Sequence, residues 1–219
     1  MSAPAIRVEG LTRRFGRRWA LRGVDLEIER GSVVALLGAN GTGKTTLLRI
    51  LSTLLRPTAG EASVLGLDLA SDADAIRRRT ALMTPTGHVY DELTGVENLR
   101  FAARMGEVTA SDDDLRAALA RVDLADAADL AVRGYSTGMR KRLELARLGL
   151  RAPDVVLLDE PFTSLDSTGV DLVQDAIAAW RAAGATVVIA SHRTAETGRH
   201  ADRTVRLARG VIDEAASAP

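Results

Sequence analysis

Apolar positions recur along this chain in two rhythms. Ile6-Arg7-Val8 alternates, and Val24-Asp25-Leu26-Glu27-Ile28-Glu29 alternates more clearly, at the period of a strand with one buried face. Val33 to Leu37 is unbroken apolar sequence, as in a strand covered on both sides. A glycine-rich turn follows, then a helix predicted from about Lys44, with Leu47, Leu48, Leu51 and Leu55 at helical spacing; Pro57 and Gly60 close that unit. Residues 72–150 carry helix signals alone. Ser71 with Asp74, Thr94 with Glu97 and Ser111 with Asp114 each pair an N-cap residue with an acid three positions on. Thr94 opens a helix bearing Val96, Leu99 and Phe101, and Ser111 opens one bearing Leu115, Leu119 and Val122. Strands return at Val155–Leu158 and Thr186–Ala190, with a helix over Val170–Ala183 between them. A last strand is expected near Thr204–Leu207 and a loose tail over Glu214–Pro219. Strand, helix, strand with long connections implies a parallel sheet covered by helices, so the fold class is α/β with a helical lobe inserted.

Composition narrows the function classes. The 219 residues suit one large domain, 1–219, with a core from 1–84 and 151–219 and a lobe from 85–150. Lys plus Arg equals Asp plus Glu at 29 each, which gives no reason to expect a nucleic-acid surface. With no cysteine, disulfides and Cys-based zinc sites are excluded, and a reducing cytosol is the simplest compartment. The start, Met1 to Arg7, lacks the apolar stretch of a secretory signal, and no apolar run reaches membrane-helix length. Another chain must cross the bilayer if the protein serves a membrane process.

The chemistry begins at Gly38-Ala39-Asn40-Gly41-Thr42-Gly43-Lys44-Thr45-Thr46, which matches G-x-x-x-x-G-K-[ST] between a buried strand and a helix. Glycines let backbone N–H groups wrap a phosphate, and the helix turns its positive end to the same anion. Lys44 can reach β- and γ-phosphate oxygens, and the Thr45 hydroxyl suits Mg²⁺. The bland alternative, a turn that merely joins strand to helix, does not explain the whole string. A second buried strand ends in Asp159-Glu160. Asp159 is placed to hold Mg²⁺, and Glu160 to orient or deprotonate an attacking water. Without the phosphate loop, that acid pair would be an ordinary loop start.

Together with Tyr135-Ser136-Thr137-Gly138-Met139, Ser164-Leu165-Asp166 and Ser191-His192, these segments closely resemble the nucleotide-binding subunits of ABC transporters, in order and spacing from Phe15 to His192. The resemblance implies a phosphate-loop NTPase domain of the ABC type, with a mostly parallel core sheet, an N-terminal antiparallel β region and a helical lobe. It implies ATP and Mg²⁺ as cofactors, with Gly38, Asn40, Gly41, Gly43, Lys44, Thr45 and Thr46 around the phosphates and Thr45 and Asp159 at the metal. Phe15 would stack on adenine. Ser136 and Gly138 would hold the γ-phosphate bound to a second protomer, and Asp166 would bridge the dimer. His192 would contact the γ-phosphate, and Glu160, His192 and Lys44 would carry catalysis. The expected partners are a second copy or a related ABC subunit, and a separate transmembrane permease docked near residues 84–105. That arrangement would hold the protein on the inner face of the cell membrane.

The sequence departs from the family pattern in two places. The signature is Tyr135-Ser136-Thr137-Gly138-Met139 rather than Leu-Ser-Gly-Gly-Gln, keeping the serine and the second glycine. The loop that normally holds a glutamine reads Leu82-Met83-Thr84-Pro85-Thr86-Gly87-His88, with Pro85 at the glutamine position and Thr86 or His88 as candidate substitutes. Glu97-Asn98-Leu99-Arg100-Phe101 and the stretch from Asp159 to Asp166, in so short a chain, look like the haem-exporter ATPases of cytochrome c maturation. Two rival readings stay open at this point. One is a soluble ABC ATPase acting on nucleic acid or ribosomes. The other is a regulatory subunit that binds ATP without hydrolysing it.

Overall fold

The alternating N-terminal segments form a hairpin in the computed structural model, which describes residues 3–85 and 87–218. Strands β1 (Ile6–Phe15) and β2 (Arg18–Ile28) pair antiparallel, with Ile6 opposite Ile28 and Phe15 opposite Arg18. Strands β4 (Ala59–Val64) and β5 (Leu67–Asp68) extend them into a four-stranded sheet, ordered β2-β1-β4-β5. The second sheet is built around β3 (Val33–Leu37), which lies parallel to β8 (Thr186–Ser191) and to β9 (Arg203–Ala208). Strand β7 (Val155–Asp159) pairs parallel to β8. The order across this sheet is β10-β9-β3-β8-β7-β6, with β6 (Thr80–Met83) and β10 (Val211–Ala218) at the edges. Both faces of β3, β7 and β8 are buried, which is why their sequences are apolar without alternation.

One hydrophobic core joins the two sheets. Val8, Leu11, Leu21 and Val24 from the hairpin meet Val34, Leu36, Val188 and Val205 from the parallel sheet. Leu47, Leu48, Ile50 and Leu51 of α1 (Lys44–Leu51) pack into the same cluster. Burying several such side chains completely contributes roughly 1.5–3 kcal/mol each, which fixes the start of α1 against the end of β3.

The residues cluster into two compact units. The first comprises Met1–Leu82, Pro153–Glu160 and Ile177–Pro219, and holds both sheets. The second comprises Met83–Ala152 and Pro161–Ala176, taking in the latter segment besides the stretch expected as a lobe. It contains α3 (Gly95–Met105), α4 (Asp112–Ala120) and α5 (Thr137–Gly149). Helix α6 (Ser167–Ala182) contributes to both units.

Several local expectations are corrected. Helix α1 ends at Leu51, and Leu55 lies beyond it, packed against the core from a turn in which Thr53 has φ +62°. The middle segment is not helical throughout, since β6 occupies Thr80–Met83; a strand of 4 residues is too short to show a period. Ser71 does not cap a helix. Its hydroxyl bonds Asp68 and Asp72, and α2 (Ala73–Arg79) starts after Asp72. Phe101 faces outward rather than into the core. The tail is a strand up to Ala218, paired antiparallel with β9. The capping boxes at Thr94–Glu97 and Ser111–Asp114 form as expected.

Candidate functional site

In the first unit, the loop between β3 and α1 is shaped by close contacts that exclude side chains. A Cβ on Gly38 would sit 2.4 Å from the Leu207 carbonyl oxygen, and one on Gly43 2.6 Å from that of Ala20. Gly43 also has φ +114°, a conformation that other residues rarely adopt. The loop is thus wedged between β2 and β9, leaving Asn40 and Gly41 exposed and Thr45 and Thr46 half-buried. The Leu47 N–H closes the first helical bond onto Gly43. The N–H groups ahead of it are the donors that a helix start leaves without a helical partner, and such donors suit an anion.

Lys44 is 5% exposed and folds back over this loop, its Nζ donating to the Gly38 carbonyl at 2.6 Å and the Ala39 carbonyl at 3.2 Å. The same amino group lies 3.6 Å from Glu160 Oε1. Glu160 follows β7 at φ +50°, a strained value for a non-glycine residue, and is pinned there by its N–H donating to the Ala190 carbonyl at 2.8 Å. Its Oε2 accepts from the Ser191 hydroxyl at 3.3 Å and lies 2.9 Å from His192 Nδ1. Parallel strands β7 and β8 therefore bring Glu160, Ser191 and His192 to one end of the sheet, beside Lys44. The sequence reading missed the part played by Ser191. Its hydroxyl also accepts from the Arg193 N–H at 3.0 Å, so it ties the histidine turn to Glu160.

Asp159 is almost fully buried at the end of β7. Burial pushes its carboxyl above the ordinary value; a hydrogen bond with Thr45 opposes this, the Glu160 charge adds to it, and the Lys44 charge opposes it. Its Oδ1 is buried without a hydrogen-bond partner among the described residues. An orphaned carboxylate oxygen beside a threonine hydroxyl is a hard-oxygen donor pair, and it fits Mg²⁺. Phe15, at the end of β1, is 48% exposed, with the Arg13 guanidinium 4.5 Å from the centroid of its ring.

The remaining expected site residues lie in the second unit. Ser136 caps α5, accepting from the Met139 N–H at 3.2 Å, and is itself exposed. Gly138 lies in the first turn, where a Cβ would meet the Ser164 carbonyl oxygen at 3.4 Å. Tyr135, just before them, is buried and donates to the Ala127 carbonyl at 2.6 Å, anchoring this helix start. Asp166 accepts from the Gly169 N–H at 2.8 Å, so within this chain it caps the start of α6. Of the two candidate replacements for the missing glutamine, Thr86 lies outside the described residues. The His88 backbone and ring are held by Glu144, a buried acid of α5 that sequence reasoning overlooked.

Comparison with known proteins bears on this arrangement. Residues 21–163 match the ABC transporter family, and the chain belongs to that family. It is 42% identical over 205 residues to the daunorubicin resistance ATP-binding protein DrrA3 of Streptomyces coeruleorubidus, a match covering 93% of this chain and 65% of that protein. It is 36% identical over 190 residues to the cytochrome c biogenesis ATP-binding export protein CcmA of Cupriavidus pinatubonensis, covering 87% of this chain and 84% of that one. A solved structure of the ATP-binding subunit of an ABC transporter superposes with a TM-score of 0.88 at 28% identity, covering 98% of this chain and 89% of the other. The chain spans 64–66% of the length of the daunorubicin resistance relatives from the two Streptomyces species.

Proposed function

We propose that this chain hydrolyses ATP in a head-to-tail dimer and thereby drives a separate membrane permease. The convergence of Lys44, Glu160 and His192 beside the glycine loop carries this reading. Lys44 exchanges its carbonyl partners for β- and γ-phosphate oxygens, and Phe15 stacks on adenine through the ring face away from Arg13. The Asp159 carboxylate and the Thr45 hydroxyl would hold Mg²⁺, which when bound supplies positive charge to the phosphate oxygens. Glu160, oriented by Ser191 and His192, accepts a proton from the attacking water. Lys44 and His192 stabilise the charge that develops on the γ-phosphoryl oxygens. Ser136 and the first-turn N–H groups of α5 from a second copy close over that phosphate, and loss of the phosphate lets the pair part.

The outward-facing Tyr90, Phe101 and Met105 support the permease-docking part of this reading. Tyr90 and Phe101 meet edge to face with ring centroids 4.8 Å apart, forming an apolar ledge within the segment expected to dock. No helix among the described residues is long and apolar enough to cross a membrane, so the membrane path would come from the partner. For the cargo, 42% identity to a daunorubicin resistance protein against 36% to a cytochrome c biogenesis exporter favours a drug-like molecule over haem.

Replacing the general base tests the proposal. Glu160→Gln lowers steady-state turnover by about 10²–10⁴-fold while ATP binding persists, and size-exclusion chromatography with ATP shows a trapped dimer. Unchanged turnover would remove Glu160 as the base.

A further inference from the structure

We propose that Glu144 is a positioning residue that fastens Gly87 and His88 to the signature helix, so that these two residues move with it. The inference rests on the ABC ATPase reading above for its consequence, but not for its geometry. Glu144 lies in the middle of α5 and is fully buried. A lone carboxylate there would be strongly unfavourable. It is retained among specific partners. Oε2 accepts from the His88 backbone N–H at 2.5 Å, Oε1 accepts from Arg147 Nη2 at 2.7 Å, and the His88 ring Nδ1 stands 3.5 Å from Oε1.

The main bond to the loop goes to backbone, so it depends on the path of the chain more than on the side chain at position 88. Gly87 provides that path. It has φ +69°, and a Cβ there would fall 2.9 Å from Glu144 Oε2. Pro85, at the position where the family pattern has glutamine, offers no side-chain donor or acceptor. Position 85 thus adds nothing to the fixing of this loop, which comes from Glu144 through the His88 backbone and ring. Ser136 caps the same helix eight residues before Glu144. At 1.5 Å of rise per residue the two are about 12 Å apart along one rigid axis. A displacement of His88 is passed to the signature end as movement of α5.

The test combines backbone amide exchange, followed by mass spectrometry, with ATPase kinetics on the full chain. In Glu144→Ala, peptides spanning residues 84–89 exchange at least about tenfold faster, while those of the phosphate loop keep their wild-type rate. ATP affinity stays within about twofold, KM for ATP is unchanged, and kcat falls about fivefold. Glu144→Gln keeps an oxygen that can accept from the His88 N–H and gives intermediate values for both exchange and kcat. Gly87→Ala leaves Glu144 in place but blocks the approach, and reproduces Glu144→Ala; it serves as the probe should the alanine at 144 fail to fold. Wild-type exchange over 84–89 in a folded Glu144→Ala or Gly87→Ala would overturn the inference, as would faster exchange with unaltered kcat. A wild-type chain without ATPase activity would instead strike at the functional reading, with the exchange result still standing on its own.

Discussion

The two units carry their functional residues in opposite ways. In the first, Lys44 and Asp159 are buried, Glu160 is nearly so, Lys44 faces Glu160, and Asp159 faces the Thr45 hydroxyl. In the second, Ser136 is exposed at a helix start and its hydroxyl is satisfied by its own helix. A buried charged cluster keeps its geometry through mutual contacts and low dielectric. An exposed cap has little to recognise within its own chain. Under the proposed function the first unit would be the reaction centre, and the helix end that the second presents outward would complete the centre of another copy.

The largest effect that would sharpen this contrast comes from Glu160→Gln, described above. Next is a direct comparison of the two units. Lys44→Ala weakens ATP binding by up to about 100-fold, the scale of a lost charged hydrogen bond. Ser136→Ala leaves nucleotide affinity of the isolated chain within about twofold, yet lowers turnover by about 10- to 100-fold. Equilibrium binding of a fluorescent ATP analogue and steady-state hydrolysis measure the two quantities. Equal loss of affinity in both variants would break the contrast.

A smaller effect is expected at the adenine end. Phe15→Ala raises the dissociation constant for ATP by about 2- to 10-fold, the range of a single aromatic stack, and leaves binding of inorganic triphosphate unaltered.

The smallest effect lies in the second unit's acid response. Burial pushes the Glu144 carboxyl up, but the His88 ring, the Arg147 charge and the His88 N–H outweigh it and leave the group below its ordinary value of 4.5. A carboxyl with a lowered folded-state pKa adds stability above its unfolded value, and loses it as pH falls through the folded value. The stability gap between wild type and Glu144→Gln, followed by urea unfolding, should therefore be widest near neutral pH and narrow below pH 4.5. A gap that widens on acidification would contradict the ionised Glu144 that the hydrogen bonds imply.

How much of this was legible in the sequence depends on how far apart the cooperating residues lie. The glycine loop and Asp159-Glu160 could be read because each is a contiguous string at the end of an apolar strand. The capping boxes at Thr94 and Ser111 are likewise complete within four residues. Ser71 carried the same local signal and failed, because Asp68 and Asp72 compete for its hydroxyl. Strand β6 was hidden by its length, and β10 by a composition that only pairing with β9 makes extended. The Glu144–His88 contact spans 56 positions, and the part of it that runs to a backbone N–H leaves no trace in residue identity at position 88.

The central claim is that each catalytic centre draws Lys44 from one copy and Ser136 from another, and subunit mixing tests it most directly. Lys44→Ala and Ser136→Ala proteins alone each turn over at most about a tenth as fast as wild type. Mixed in equal amounts, they form heterodimers with one intact composite centre, so hydrolysis recovers to about a quarter of the wild-type rate under random head-to-tail pairing. A mixture no more active than its separate components would contradict the account.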